Sequence, residues 1–349
     1  MAGAGESVVV SQSTHVLPLE FNRRYPVIVR GQGVWVEDAA GKRYLDAMSG
    51  GSMAATLGHG RRDIVAAARA QAKRLAYVHN ERLTNPAQER LAHELTGLAP
   101  DGFTRVRFVT GGAEANEMAM QIARTYHVER GQPRRWQVIS PAQSYHGPTM
   151  ATLALTGRPG LKRPFEPYMS THLHIPPSTW RFDPTGEQAL QALDKALDAS
   201  GPETVSAYFC EPITAAALPS YSPPAHFWKG LAERRDRHGF LICFDEIVTG
   251  MGRTGHWFAA QGLRSSLTSS PPPKAWAQAM PPSGRCCAGS MSTTRSPAAL
   301  GNSRWGIRGT VRRFRALSAS PSSTCCGRSG WSSESTSAGR GCETSSPRR

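Results

Sequence analysis

VTGGAEANEMAMQIAR, residues 109–124, is the stretch that decides the fold. It joins the end of a short apolar run, RVRFV at 105–109, to a Gly-Gly turn and then to a helical pattern in which Ala115, Met118, Ala119 and Ile122 recur on one side. A strand passed to a helix through two glycines has two readings. One is a tight strand-to-helix turn and nothing more. The other is an anion site, because glycines let backbone N–H groups approach a ligand and the helix N-terminus adds partial positive charge. Short glycine motifs are common, so this segment alone leaves both open.

Working outward, the same alternation continues. Gln137 to Ser140 and Ala207 to Cys210 are predicted strands, Phe240 to Phe244 (FLICF) is a continuous apolar strand, and helices are predicted at Glu187 to Leu197 and Phe227 to His238, the latter closed by Gly239. Short apolar strands separated by helices imply an α/β fold with a mainly parallel sheet covered on both faces. Upstream, GVWVEDAAGKRYLD at 33–46 predicts two strands joined by a turn at Ala39 to Lys42, and helices are expected over Arg62 to Tyr77 and Pro86 to Leu98.

After Gly262 this punctuation stops. Residues 263–349 contain 20 Ser and 12 Arg but one Ile, one Val and no Tyr. Such a segment cannot offset its ordering entropy by burial and is expected to be a disordered, low-complexity basic tail without elements of its own. It holds 13 Lys/Arg against Glu334 and Glu343, a net of +11 out of +15, which leaves +4 for the rest of the chain. Basicity is therefore a property of the tail, and it offers a second reading of the chain as a polyanion- or RNA-binding protein with a folded platform. Five of the seven cysteines also lie there. Cys210 and Cys243, in or beside apolar runs, read as reduced core residues without zinc or disulfide spacing. With no apolar run near 20 residues and no basic-flanked apolar leader, a cytoplasmic, membrane-free protein is expected.

Two more segments carry candidate chemistry. Tyr145, His146 and Gly147 follow a predicted strand, where an aromatic ring could stack on a flat cofactor or be an ordinary loop aromatic. In FDEIVTGMGRTG at 244–255, Asp245 ends an apolar strand, where open α/β sheets place their ligands. A carboxylate there needs a partner: a pyridine nitrogen would serve, and so would a helix N-terminus.

Taken in order, with Glu211–Pro212 between them, these segments resemble the class III aminotransferases of the ornithine/4-aminobutyrate type. GVWVEDAAGKRYLDAMSGG, LGHG at 57–60 and YHGPTMATLALTG at 145–157 fit the same pattern, and the resemblance covers about residues 15–262. It implies the pyridoxal-phosphate-dependent fold type I, amino transfer from an amino donor to a 2-oxo acid, pyridoxal 5'-phosphate as cofactor, and a homodimer. It also implies a division into residues 1–60, contributing to an incomplete small domain, residues 61–262 as the cofactor-binding large domain, and the tail. Residue by residue, Gly112 and Ala113 match the phosphate turn, Tyr145 the ring-stacking aromatic with His146 beside it, and Asp245 the partner of the ring nitrogen. Ile247 would pack behind the ring, and Glu211 matches a glutamate near the site. Two positions depart from the pattern. Ala113 stands where many members have a hydroxyl residue, and Val248 where some have Gln.

The family's Schiff-base lysine lies in a segment like PD...AKGLGAGYAPLGAV soon after GRTG, and here the chain reads SLTSSPPPKAWAQAMPPSGRCC instead. Suppose each intended codon takes the third base of one residue's codon and the first two bases of the next. Then Ser266 to Pro281 permits PD followed by AKGLGAGYA, with Trp276/Ala277 forced to Gly and Met280/Pro281 forced to Ala. Residues 282–287 permit LGAVL, and Trp305 to Gly309 permit Gly-His-Thr-Trp in the same phase. A reading-frame change between about Ala260 and Ser266 is expected. Lys274 is then a coincidence of location, no catalytic lysine is identifiable in frame, and the translated chain is expected to be inactive and prone to aggregate.

Overall fold

The computed structural model describes residues 16–17, 25–51, 53–79, 82–218 and 220–263, together with the backbone of two short strands at 276–279 and 287–289. An antiparallel sheet forms first, from β1 (Ile28–Gln32), β2 (Trp35–Asp38) and β3 (Arg43–Leu45). The predicted β2–β3 hairpin is present, and its turn is organised by Asp38, whose carboxylate accepts from the N–H groups of Ala40 and Lys42 (both 2.9 Å) and from the Tyr44 hydroxyl (2.7 Å). Two helices follow, α1 (Arg62–Arg74) and α2 (Pro86–Leu98). The start of α2 follows from its sequence: Asn85 accepts from Gln88 N at 3.0 Å, and Pro86 fills the first turn, where no amide is needed.

The central unit alternates as expected: β4 (Arg107–Val109), α3 (Gly112–Glu129), β5 (Gln137–Pro141), α4 (Met150–Leu155), α5 (Pro159–Lys162), β6 (Leu173–Ile175), α6 (Glu187–Ser200), β7 (Val205–Cys210), α7 (Ala225–His238), β8 (Leu241–Asp245) and α8 (Ala259–Gly262). Gly239 ends α7 in the left-handed conformation (φ 77), its N–H returning to Arg235 O at 2.7 Å. Strands β1 and β6, α4, α5 and α8 were not predicted. They are short or exposed, with too few residues to display a period.

Strands β6, β5, β7 and β8 lie side by side, all parallel. Their alternation builds a core on each face. Val138, Ala207, Phe209, Leu241 and Cys243 pack with Ala119 and Ala123 of α3 and Leu155 of α4. Ile139, Tyr208, Cys210, Ile242 and Phe244 pack with Leu190, Leu193 and Leu197 of α6 and Phe227, Trp228 and Leu231 of α7. Burial on both faces is why Ala207 to Cys210 of β7 and Leu241 to Phe244 of β8 read as unbroken apolar runs. Cys210 and Cys243 are free, buried thiols, as their sequence context predicted.

The tail corrects one expectation. Strand β9 (Trp276–Ala279) extends the sheet parallel to β8, and β10 (Cys287–Gly289) pairs antiparallel with β4. Composition could not reveal them, because strand pairing is made by backbone groups, and the free edges of β8 and β4 offer unpaired N–H and C=O groups to a chain of any apolar content. The remaining tail residues after Leu263, Lys274 among them, lie outside the described residues. Among the described residues no helix is long and apolar enough to cross a membrane.

Candidate active site

The carboxyl ends of β5, β7 and β8 are neighbours, and they bring together residues that the sequence spreads over more than a hundred positions. β5 leads into the loop carrying Tyr145 and His146, Glu211 follows β7, and Asp245 ends β8. Helix α3 enters beside them with Gly112 at its start, and its first-turn N–H groups have no partner within the helix.

Asp245 is the centre of the arrangement and is 5% exposed. Its Oδ1 accepts from Ile247 N at 3.0 Å, while Oδ2 accepts from Asn116 Nδ2 at 2.8 Å and faces His146 Nδ1 at 2.9 Å. Three hydrogen bonds hold the carboxylate, and a carboxylate has about four acceptor positions, so room for one more donor remains. No α-helix starts at Asp245, but its Oδ1 caps the turn that follows, which Gly250 N closes on Glu246 O at 2.9 Å, while Oδ2 takes the side-chain donors.

His146 is itself fixed on three sides. Its N–H donates to Thr156 Oγ1 at 3.0 Å, its ring stands edge-on to Phe209 with centroids 5.0 Å apart, and Nδ1 faces the aspartate. Nε2 is buried without a hydrogen-bond partner among the described residues. Tyr145 is half-buried, and its N–H donates to Glu211 Oε1 at 3.2 Å. Glu211 also accepts from Ala215 N at 3.0 Å. Burial pushes its carboxyl up to about 7; His146 opposes the shift and Asp245 adds to it.

Ile247 packs with Ala115 and Val109, and a Cβ built on Gly112 would come 2.8 Å from its Cδ1. A side chain at 112 would therefore require the end of Ile247 to shift, and glycine leaves the turn's backbone open there. Gly147 is required, with φ 128 and a hypothetical Cβ 2.8 Å from both Ala113 Cβ and Thr152 Oγ1. The ring loop is thus pressed directly against the α3 turn. All seven residues predicted from the sequence, Gly112, Ala113, Tyr145, His146, Glu211, Asp245 and Ile247, belong to this one region.

Sequence reasoning missed Asn116, Thr156 and Glu246. Asn116 falls between Ala115 and Ala119 in the buried stripe of α3, and a polar residue in such a stripe is the signal that could have found it. Glu246 is fully buried and accepts from Thr249 Oγ1 and from the N–H groups of Ala259 (2.6 Å) and Ala260 (3.0 Å). It ties the segment after Asp245 to the start of α8. No lysine is among the hydrogen-bond partners of Asp245, His146 or Glu211 in the described residues. In β9, Trp276 pairs with Ile242 and Ala279 with Asp245, so the strand enters at the end of β8 remote from Asp245.

The residues present fit a flat, phosphorylated cation. A Gly-Gly turn whose first N–H groups have no partner among the described residues lies at one end, a buried carboxylate with spare acceptor capacity at the other, and an aromatic side chain beside them.

Comparison with known proteins gives the same direction. The chain is 38% identical to the acetylornithine aminotransferase of Myxococcus xanthus over 255 residues, covering 72% of this chain and 58% of that protein. Among solved structures, a thermostable (S)-enantioselective omega-transaminase from Thermomicrobium roseum superposes with a TM-score of 0.73 at 33% identity, covering 83% of this chain and 65% of that one. The omega-transaminase of Pseudomonas jessenii in complex with PMP gives 0.72 at 25% identity, covering 88% and 68%. These neighbours have the pyridoxal-phosphate-dependent fold type I. The chain spans little more than half the length of the curated relatives it matches. The model of the family "Aminotransferase class-III" matches residues 21–302, which carries the likeness past Gly262, where the sequence reading had ended it. The chain belongs to the class III aminotransferases, a pyridoxal-phosphate-dependent family.

Proposed function

We propose that this chain is an aminotransferase of the ornithine/4-aminobutyrate type by descent, built to move an amino group from an amino donor to a 2-oxo acid, and that it holds pyridoxal 5'-phosphate without its covalent anchor. The observation that carries the cradle is the buried Asp245 carboxylate, held by three donors beside an aromatic loop and a Cβ-free helix start. When bound, the cofactor supplies an electron sink for the carbanion formed from the substrate.

The chain's own residues have separable tasks. The N–H groups at Gly112 and Ala113 bind the phosphate, with Ala113 lacking the hydroxyl that would add a contact. Tyr145 and Ile247 are the residues that would hold the ring, one on each face. Asp245 holds a proton at the ring nitrogen, and His146, with Nδ1 on the aspartate, keeps that carboxylate oriented. Glu211, neutral over part of the physiological range, leaves the wall beside Tyr145 without a fixed negative charge. Val248 gives no amide for the cofactor's phenolic oxygen.

The missing anchor follows from the phase argument: the codons of Ser266 to Pro281 permit the lysine segment one phase away, and the composition breaks at the same place. Catalysis needs a lysine held to fractions of an ångström. Residues 1–60, 61–262 and 263–349 are then the small-domain contribution, the cofactor-binding domain and an out-of-phase tail. The test is borohydride reduction of the purified full-length chain loaded with pyridoxal 5'-phosphate. No covalent cofactor mass on the protein is expected, while a frame-restored chain acquires one. Stoichiometric trapping on the unrepaired chain refutes the loss of the anchor.

A further inference from the structure

Asn116 is 1% exposed and sits one helical turn after Gly112. Its Nδ2 donates to His146 O and to Asp245 Oδ2, both at 2.8 Å, reaching across 30 and 129 residues of sequence. The amide orientation is chemically determined. One partner is a carbonyl oxygen and the other a carboxylate oxygen, so a flipped amide would set Oδ1 against two acceptors. Both amide protons are therefore used, and Asn116 Oδ1 is left buried without a partner among the described residues. Leaving an acceptor unsatisfied costs free energy that an apolar side chain at this position would avoid.

We propose that Asn116 is a positioning residue that fixes the separation between the anion-binding start of α3 and the Asp245 carboxylate, so that the site selects a ligand carrying a phosphate and a protonated ring nitrogen together. The inference rests on the cradle reading above. A core amide with no such role would stabilise the fold without regard to ligand length. A clamp acts only on a ligand that touches both ends.

The probes are pyridoxamine 5'-phosphate, pyridoxamine and inorganic phosphate, titrated calorimetrically into the full-length chain and into Asn116→Ala. The clamp predicts that pyridoxamine 5'-phosphate binds about tenfold more weakly to the variant, the effect expected for losing one hydrogen bond to a charged group and one to a carbonyl. Inorganic phosphate, which touches only the start of α3, changes by less than about twofold, and pyridoxamine, which touches only Asp245, loses less than the phosphorylated ligand. An unchanged affinity for pyridoxamine 5'-phosphate, or an equal loss for all three ligands, overturns the clamp while leaving the cradle intact. A wild-type chain that binds no pyridoxamine 5'-phosphate overturns the cradle and the clamp with it. Should Asn116→Ala fail to fold by circular dichroism, Asn116→Leu keeps the volume and carries the same titrations. A further arm needs no variant: in wild-type NMR spectra both side-chain amide protons of Asn116 are protected from solvent exchange, and free exchange overturns the proposal.

Discussion

Glu211 accepts two backbone hydrogen bonds, which favour its charged form, yet burial outweighs them and takes the carboxyl from 4.5 to about 7. Between those values the folded chain keeps a proton that the unfolded chain has released, so stability on this account is greatest below pH 4.5 and is lost as pH rises through about 7. His172 has the opposite slope, because burial holds its imidazole down to about 4 and the unfolded chain then binds the extra proton below pH 6.5. Comparing Glu211→Gln with the wild type cancels the histidine term. The difference in unfolding free energy between the two should shift by on the order of 2–3 kcal/mol from pH 4.5 to pH 8, the wild type losing ground as pH rises. Urea unfolding at both pH values measures it, and a pH-independent difference contradicts the burial argument. At this scale Asp245, Tyr145, His146 and Glu211 were legible because each follows an apolar strand or belongs to a recognisable ordered set. Asn116 was not, because what gives it significance is a contact 129 residues away.

Among the elements, α6 shows how a helix can start without help from its own N-cap. Gly186 occupies that position in the left-handed conformation, and the start is held by Asp183, 3% exposed, whose Oδ1 accepts from Gln188 N at 3.2 Å and Oδ2 from Ala189 N at 2.9 Å. Asp183→Ala removes both acceptors from a buried helix end and should cost about 1–2 kcal/mol of stability, with cofactor affinity unchanged because α6 lies on the sheet face away from α3. A measured loss near zero contradicts that assignment. The period of α6, with Leu190, Leu193 and Leu197 buried, was plain in the sequence, and so were α2, α3, α7 and the central strands. Strands β6, β9 and β10 were not. Each is three or four residues long and is defined by the neighbour that receives it rather than by its own pattern.

Over the whole molecule, burial divides sharply. The parallel sheet and its flanking helices hold both principal clusters, whereas α1 has no buried residue and Ile28, Val29, Val34, Trp35, Leu45, Ile64 and Val65 are exposed. Under the function proposed above, the molecule is a cofactor cradle whose anchoring segment was written in a neighbouring phase. Sequencing the DNA across codons 260–310 is the direct test. The account predicts a single insertion or deletion near codons 260–266 relative to a frame that spells a glycine-rich segment with the lysine, then Gly-His-Thr further on. Nucleotides that spell no such segment in either neighbouring phase contradict it.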